Sequence, residues 1–173
     1  MSRLRRLVLS DRYFFVICNL LRSRSALGER DFERLAWSLA RMRAKHGFAP
    51  TAWVFLPDHW QVIVYPCYPL VISGLMKALK VRSMISINRG RREGGELWQK
   101  RFFDHALRTV KDYWETVEYI HLNPVRRGLV KQPEQWRWSS YLEYAGLDAA
   151  EQERPWGLKI DRVRLPAEQD ARI

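Results

Sequence analysis

Two polar side chains interrupt an apolar stretch at positions 59 and 61. The run Leu56-Pro57-Asp58-His59-Trp60-Gln61 lies between Thr51-Ala52-Trp53-Val54-Phe55 and Val62-Ile63-Val64-Tyr65. Both flanks are rich in β-branched and aromatic residues and Pro57-Asp58 is turn chemistry, so the spacing predicts a tight β-hairpin. A strand period of two puts His59, Gln61, Ile63 and Tyr65 on one face, and Trp60, Val62 and Val64 on the other. An imidazole and an amide would then project side by side from a rigid strand. Such a pair is costly to bury unless something uses it. The plain alternative is a strand end whose polar groups bond to water or backbone.

A second pair lies downstream. Thr109-Val110-Lys111-Asp112 has the form of a helix-starting capping box. The helix is expected to end near Leu122, because the residue before Pro124 is pushed out of the helical region. Val110, Tyr113, Trp114, Val117, Ile120 and His121 make its apolar side. Tyr119 points the other way, with Asp112, Thr116 and Asn123 near it. Positions i and i+4 share a helix face, so Asn123 follows Tyr119 if the final turn holds. Brought over the sheet, the two pairs would join a metal-binding face to a nucleophile. An ordinary half-exposed tyrosine is the alternative.

The rest of the chain must position these groups. At 173 residues it suits one domain, and 47% apolar with 13% aromatic residues argues for a packed core rather than disorder. A formal net charge of +11 points to a polyanionic partner, of which nucleic acid is the commonest. No apolar stretch is long enough to span a bilayer, and the basic N-terminus lacks a signal-peptide core, so no membrane is expected. Cys18 and Cys67 are isolated and read as reduced core thiols, which suits a cytoplasmic protein.

In order, residues 12–20 read as a central strand covered on both faces. A helix is expected from Glu29 to about His46, then the hairpin, then a second helix after Tyr68-Pro69. Asn88 to Gly95 reads as a flexible basic loop. Glu96 to Phe103 reads as a fourth strand, whose Trp98, Lys100, Arg101 and Phe102 interleave stacking surface with phosphate-binding charge. Aromatics packed inward on an amphipathic strand would explain the same pattern. The order β-α-β-β-α-β followed by a helix gives an α+β, ferredoxin-like (RRM-like) four-stranded antiparallel sheet with helices on it. Residues 147–173 read as a C-terminal tail that could order on DNA. His46, His105 and His121 read as structural.

With these segments side by side, the sequence resembles the HUH single-tyrosine transposases, and more closely the REP-associated tyrosine transposases. The likeness is carried by Leu56 to Gln61, by Leu97-Trp98-Gln99-Lys100-Arg101-Phe102-Phe103-Asp104-His105, by Tyr119-Ile120-His121-Leu122-Asn123-Pro124-Val125-Arg126-Arg127-Gly128-Leu129-Val130, and by Trp136-Arg137-Trp138-Ser139-Ser140-Tyr141. It implies one domain over residues 1–146 that ends in a catalytic-tyrosine helix. It implies transesterification on single-stranded or hairpin DNA, with Tyr119 as the nucleophile forming a 5′-phosphotyrosine. His59, Gln61 and Asn123 would ligate Mg²⁺ or Mn²⁺, while Lys100, Arg101, Arg126, Arg127 and Trp98 would contact DNA. A monomer or homodimer at the nucleoid is the expected form. The family normally has histidine where Gln61 stands. An amide oxygen suits a hard divalent ion but donates more weakly than imidazole. A hairpin-DNA binder with impaired catalysis is therefore the rival reading, and an RNA binder using the sheet as a stacking platform is a third.

Overall fold

The computed structural model describes residues 12–146 and 158–161. The elements are β1 (Phe14–Asn19), α1 (Glu29–Lys45), β2 (Phe48–Leu56), β3 (His59–Pro66), α2 (Ile72–Arg91), β4 (Phe103–Ala106), α3 (Val110–Arg126), a 3-10 turn (Pro133–Gln135) and α4 (Tyr141–Tyr144). The sheet is antiparallel and open, in the order β2-β3-β1-β4. This is the expected ferredoxin-like α+β arrangement.

Alternation along the strands sorts the side chains into two cores. Phe14, Val16, Cys18, Trp53, Phe55, Trp60, Val62 and Val64 face α1 and α2 and are buried with Leu35, Leu39, Leu75 and Leu79. Fully burying side chains of this size stabilises by about 1.5–3 kcal/mol each, so this layer carries most of the stability. Tyr13, Phe15, Ala52, Val54, Leu56 and Ile63 face the other way, toward Tyr113, Val117 and Ile120 of α3. His59 and Gln61 belong to this second face, since His59 pairs with Leu56 and Asn19, and Gln61 with Val54 and Ile17.

Four expectations are corrected. The last strand begins at Phe103 rather than Glu96. Before it, Leu97 and Trp98 turn into the core, and Lys80 Nζ donates to the carbonyls of Gln99 (2.6 Å) and Lys100 (2.9 Å), groups a ladder would have used. The expected loop from Asn88 to Gly95 is helical as far as Arg91, the end of α2, and a loop only from Arg92: Arg91 is paired with Asp31 at 2.7 Å and Asn88 Nδ2 donates to the carbonyl of Gly95. Gly90 leaves room for the Arg34 guanidinium to lie against that helix end. Cys67 is exposed, unlike Cys18.

The fourth correction concerns α3, which does not stop before Pro124 but continues to Arg126. Proline removes one intrahelical amide donor and disfavours helix at Asn123. Burial of Val117, Ile120, His121, Asn123 and Pro124 itself outweighs that bias, and Arg127 N closes onto the carbonyl of Asn123 at 3.0 Å. At the helix start Thr109 Oγ1 accepts from Asp112 N at 3.0 Å, as the capping box predicts.

The outer side of β2 is occupied at two places. Phe55 N donates to the carbonyl of Trp138 and Ser140 N to that of Trp53. Farther along, Asp161 N donates to the carbonyl of Pro50, and Leu158 is buried in the larger core. These four residues, 158–161, belong to the segment expected as a tail; the remainder of that segment lies outside the described residues. No helix among the described residues is long and apolar enough to cross a membrane.

Candidate active site

A two-residue turn, Pro57-Asp58, joins β2 to β3 and starts the site. His59, the first residue of β3, places Nδ1 2.7 Å from Asp58 Oδ1. With a carboxylate at that distance, Nδ1 carries the proton and donates, which leaves a lone pair on Nε2. Arg127, just past the end of α3, donates from Nη2 to Asp58 Oδ2 at 2.7 Å. Burial alone would raise the Asp58 carboxyl, but the bonds from His59 and Arg127 outweigh it and hold it below the usual carboxylate range. Burial pushes the His59 imidazole below its usual value despite Asp58, and Arg127 adds to the depression. At pH 7 the ring is neutral, the form that can ligate a metal or accept a proton.

Gln61 is 1% exposed and its Nε2 lies 3.0 Å from His59 Nε2, where it donates to the lone pair. Its Oε1 is buried with no hydrogen-bond partner among the described residues. An unsatisfied buried carbonyl costs about 1–3 kcal/mol. Turning the amide over would bring Oε1 beside His59 Nε2, two lone pairs facing each other across a gap that suits a cation. The residues present therefore fit a hard divalent ion. His59 Nε2 and Gln61 Oε1 would be its donors; Asn123, the third residue expected as a ligand, is 6% exposed on α3. Among the described residues there is no cluster of three or more His, Cys, Asp or Glu side chains able to hold a metal.

Tyr119 is 40% exposed, on the side of α3 that looks toward β1 and β4. Its ring stands edge-on to Phe15, with centroids 6.0 Å apart, and the Arg126 guanidinium lies over it at 5.3 Å. Phe15 is one strand period from Ile17, the partner of Gln61, so the strand residue that Tyr119 packs on lies about 7 Å along the sheet from the Gln61 row. The unbroken helix keeps Asn123 one turn beyond Tyr119, and the Arg127–Asp58 bond ties the end of that helix to the hairpin. Tyr119 also lines a cleft of about 300 Å³ with Phe15, His105, Leu107, Asp112, Glu115 and Thr116.

The expected DNA contacts divide. Arg126 and Arg127 are exposed at the end of α3, next to the site. Lys100 and Arg101 are exposed elsewhere: Lys100 lines a separate cleft of about 440 Å³ with Lys77, Lys80 and Phe102 on the α2 side. Trp98, expected as a stacking surface, is instead a core residue. It is 3% exposed, packs against Trp60 at 6.2 Å and donates from Nε1 to Ser83 Oγ at 3.0 Å, so the ring is held in the core and only borders the cleft that Lys100 lines. His121 is the buried structural histidine its wheel position suggests, with Nε2 2.8 Å from Ser140 Oγ. Reading by residue type missed Asp58 as more than a turn former, and missed His105 and Phe103 beside the groove. The available signal was the two-residue alternation of β4, which its misplaced start concealed.

No family model matches the chain. A curated Escherichia coli (strain K12) protein, a REP-associated tyrosine transposase, is 31% identical over 142 residues, spanning 82% of this chain and 83% of its own. The chain belongs to the REP-associated tyrosine transposases. A Haemophilus influenzae protein placed with the same transposases is 29% identical over 140 residues, which is 75% of this chain and 78% of that one. The solved structure of a REP-associated tyrosine transposase bound to a REP hairpin superposes with a TM-score of 0.70 at 28% identity, covering 99% of both chains. A transposase structure from Deinococcus radiodurans, 18% identical, with a TM-score of 0.51 over 69% of this chain and 95% of its own, shares the fold.

Proposed function

We infer that the chain nicks and rejoins single-stranded DNA beside hairpins. The observation that carries this reading is Tyr119 half-exposed on the sheet face of His59 and Gln61, under Arg126, at a groove open to solvent. The Tyr119 oxygen attacks a backbone phosphorus, its proton departs, and the P–O3′ bond breaks. The products are a 5′-phosphotyrosine and a 3′-hydroxyl that takes up a proton. Attack by a 3′-hydroxyl reverses the sequence and frees the tyrosine, so the number of phosphodiester bonds is conserved and no nucleotide cofactor is consumed. A free phenol, with a pKa of about 10, attacks poorly at pH 7. Arg126 supports the reaction by placing positive charge beside the phenol and the incoming phosphate. Asp58 and Arg127 hold the His59 ring in one tautomer. A Mg²⁺ or Mn²⁺ ion held by His59, Gln61 and Asn123 would supply Lewis-acid polarisation of the phosphate.

Hairpin DNA is proposed as the substrate because of the +11 net charge and because the solved relative is bound to a REP hairpin. The second reading, a binder without catalysis, draws on Gln61 Nε2 occupying the His59 lone pair. One experiment separates them. Incubation with a hairpin carrying an unpaired flank, with Mn²⁺, should yield a covalent adduct on a denaturing gel. Tyr119→Phe should form none while binding the same DNA within about twofold. An adduct that persists in Tyr119→Phe would move the nucleophile elsewhere, and tight binding with no wild-type adduct would establish the binder.

A further inference from the structure

Phe103 is 52% exposed on β4, while the preceding Phe102 packs against the core under α2. It lies on the sheet face of Gln61, because Phe103 pairs with Ile17 and Ile17 with Gln61, and it is one strand period from His105, which lines the Tyr119 cleft. Two strand spacings thus separate Phe103 from Gln61, about 10 Å across the sheet. The ring is held in place, standing edge-on to Phe15 with centroids 6.1 Å apart at 68°. Phe15 in turn meets Tyr119 at 6.0 Å and 83°. Three rings therefore run in an edge-to-face chain whose middle member is buried and whose outer members reach solvent. The two outer rings stand against the same buried Phe15, which lines the Tyr119 cleft; one carries a hydroxyl and the other only a π face.

We propose that Phe103 is a stacking platform for one unpaired base of the strand whose phosphate reaches Tyr119, selecting single-stranded over duplex DNA. The proposal rests on the groove being the DNA site. An unpaired base offers its π face to an aromatic ring regardless of sequence, whereas paired bases are already stacked on their neighbours. Phe103 carries no charge and no hydrogen-bonding group, so its contribution is separable from that of Arg126 and Arg127, which act on the backbone.

The test measures equilibrium binding of the full chain to three probes: a hairpin with an unpaired flank, that hairpin with a single abasic position moved along the flank, and a blunt duplex. Phe103→Ala should weaken the flanked hairpin roughly 10- to 100-fold and leave the blunt duplex unchanged. The slope of affinity against salt should not change, because no phosphate contact is lost. Phe103→Trp should bind at least as well as wild type, and Phe103→Leu, apolar but without a π face, should resemble Phe103→Ala. At one abasic position the wild type should lose as much as Phe103→Ala, and the variant should lose nothing more. An equal loss on duplex and flanked hairpin, full affinity in Phe103→Leu, or no abasic position that is silent in the variant would overturn the proposal. Because the readout is binding, a wild type that forms no adduct would remove the nicking reading and leave this result standing. A normal adduct with unchanged Phe103→Ala binding would do the reverse.

Discussion

The guanidinium of Arg127 donates to the carboxylate of Asp58 at 2.7 Å, so the residue after the tyrosine helix is bonded to the turn that begins the histidine strand. Sixty-nine residues separate the two in sequence. The same carboxylate accepts the hydrogen bond from His59 Nδ1, and the orientation of the imidazole is thereby linked to the position of α3. Both partners of the ion pair are about half exposed, so it adds little to stability. Its effect lies in geometry.

Asp58→Asn keeps the size of the turn residue and removes its charge. Mn²⁺ affinity should fall roughly 10- to 100-fold, as expected when the carboxylate behind a ligating histidine is lost, while stability changes by less than about 1 kcal/mol. Metal titration alongside thermal melts checks both halves. Unchanged Mn²⁺ affinity would reduce Asp58 to a turn former.

Gln61→His should bind Mn²⁺ more tightly than wild type, and should gain more for Ni²⁺ and Zn²⁺, because imidazole is the better donor for those ions. Gln61→Ala should lower cleavage more than DNA binding. Cleavage rate against metal concentration, compared with hairpin affinity for the same proteins, makes the measurement. Equal cleavage by wild type and Gln61→Ala would exclude Gln61 as a ligand, and an inert wild type revived by Gln61→His would make this chain a binder with a decayed site.

Acid should destabilise the fold through His121. Burial lowers its pKa from 6.5 to about 4, so as pH falls the unfolded chain takes up the proton first. The stability contributed by keeping this ring neutral is complete above pH 6.5 and is lost between 6.5 and about 4, with about 3 kcal/mol at stake. His121→Gln keeps a partner for Ser140 and removes the titration. Its melting temperature should fall less steeply over that window, with His59, also depressed, supplying what slope remains. Parallel curves for the two proteins would show that His121 does not carry the acid sensitivity.

The hairpin, its two faces and the placement of Tyr119 off the apolar stripe were legible because each is a matter of local period: two along β3, 3.6 along α3. The start of β4 was not. ELWQKRFF alternates well enough to pass for a strand, and it does bridge the end of β1 at Leu20–Trp98, but the carbonyls of Gln99 and Lys100 accept from Lys80, a side chain of another element. The end of α3 was concealed similarly. Proline statistics describe an isolated chain, and the burial that carries the helix through Pro124 comes from the sheet beneath it. Trp98 shows the same limit in reverse, since its neighbours Lys100 and Arg101 suggest a surface while its own indole finds Ser83 and Trp60 inside. Within the site, His59 and Gln61 could be paired from sequence, whereas the Asp58–Arg127 bond could not, because nothing local relates a turn to a helix end 69 residues away.

The occupied outer side of β2 has a consequence for how the sheet can be extended. With Trp138, Ser140 and Asp161 bonded along that side, the backbone groups of Pro50, Trp53 and Phe55 are already paired outward by segments of the same chain. A strand edge is a template for another extended chain only while its groups are free. At these positions β2 offers a second copy or an aggregating neighbour nothing to anneal to.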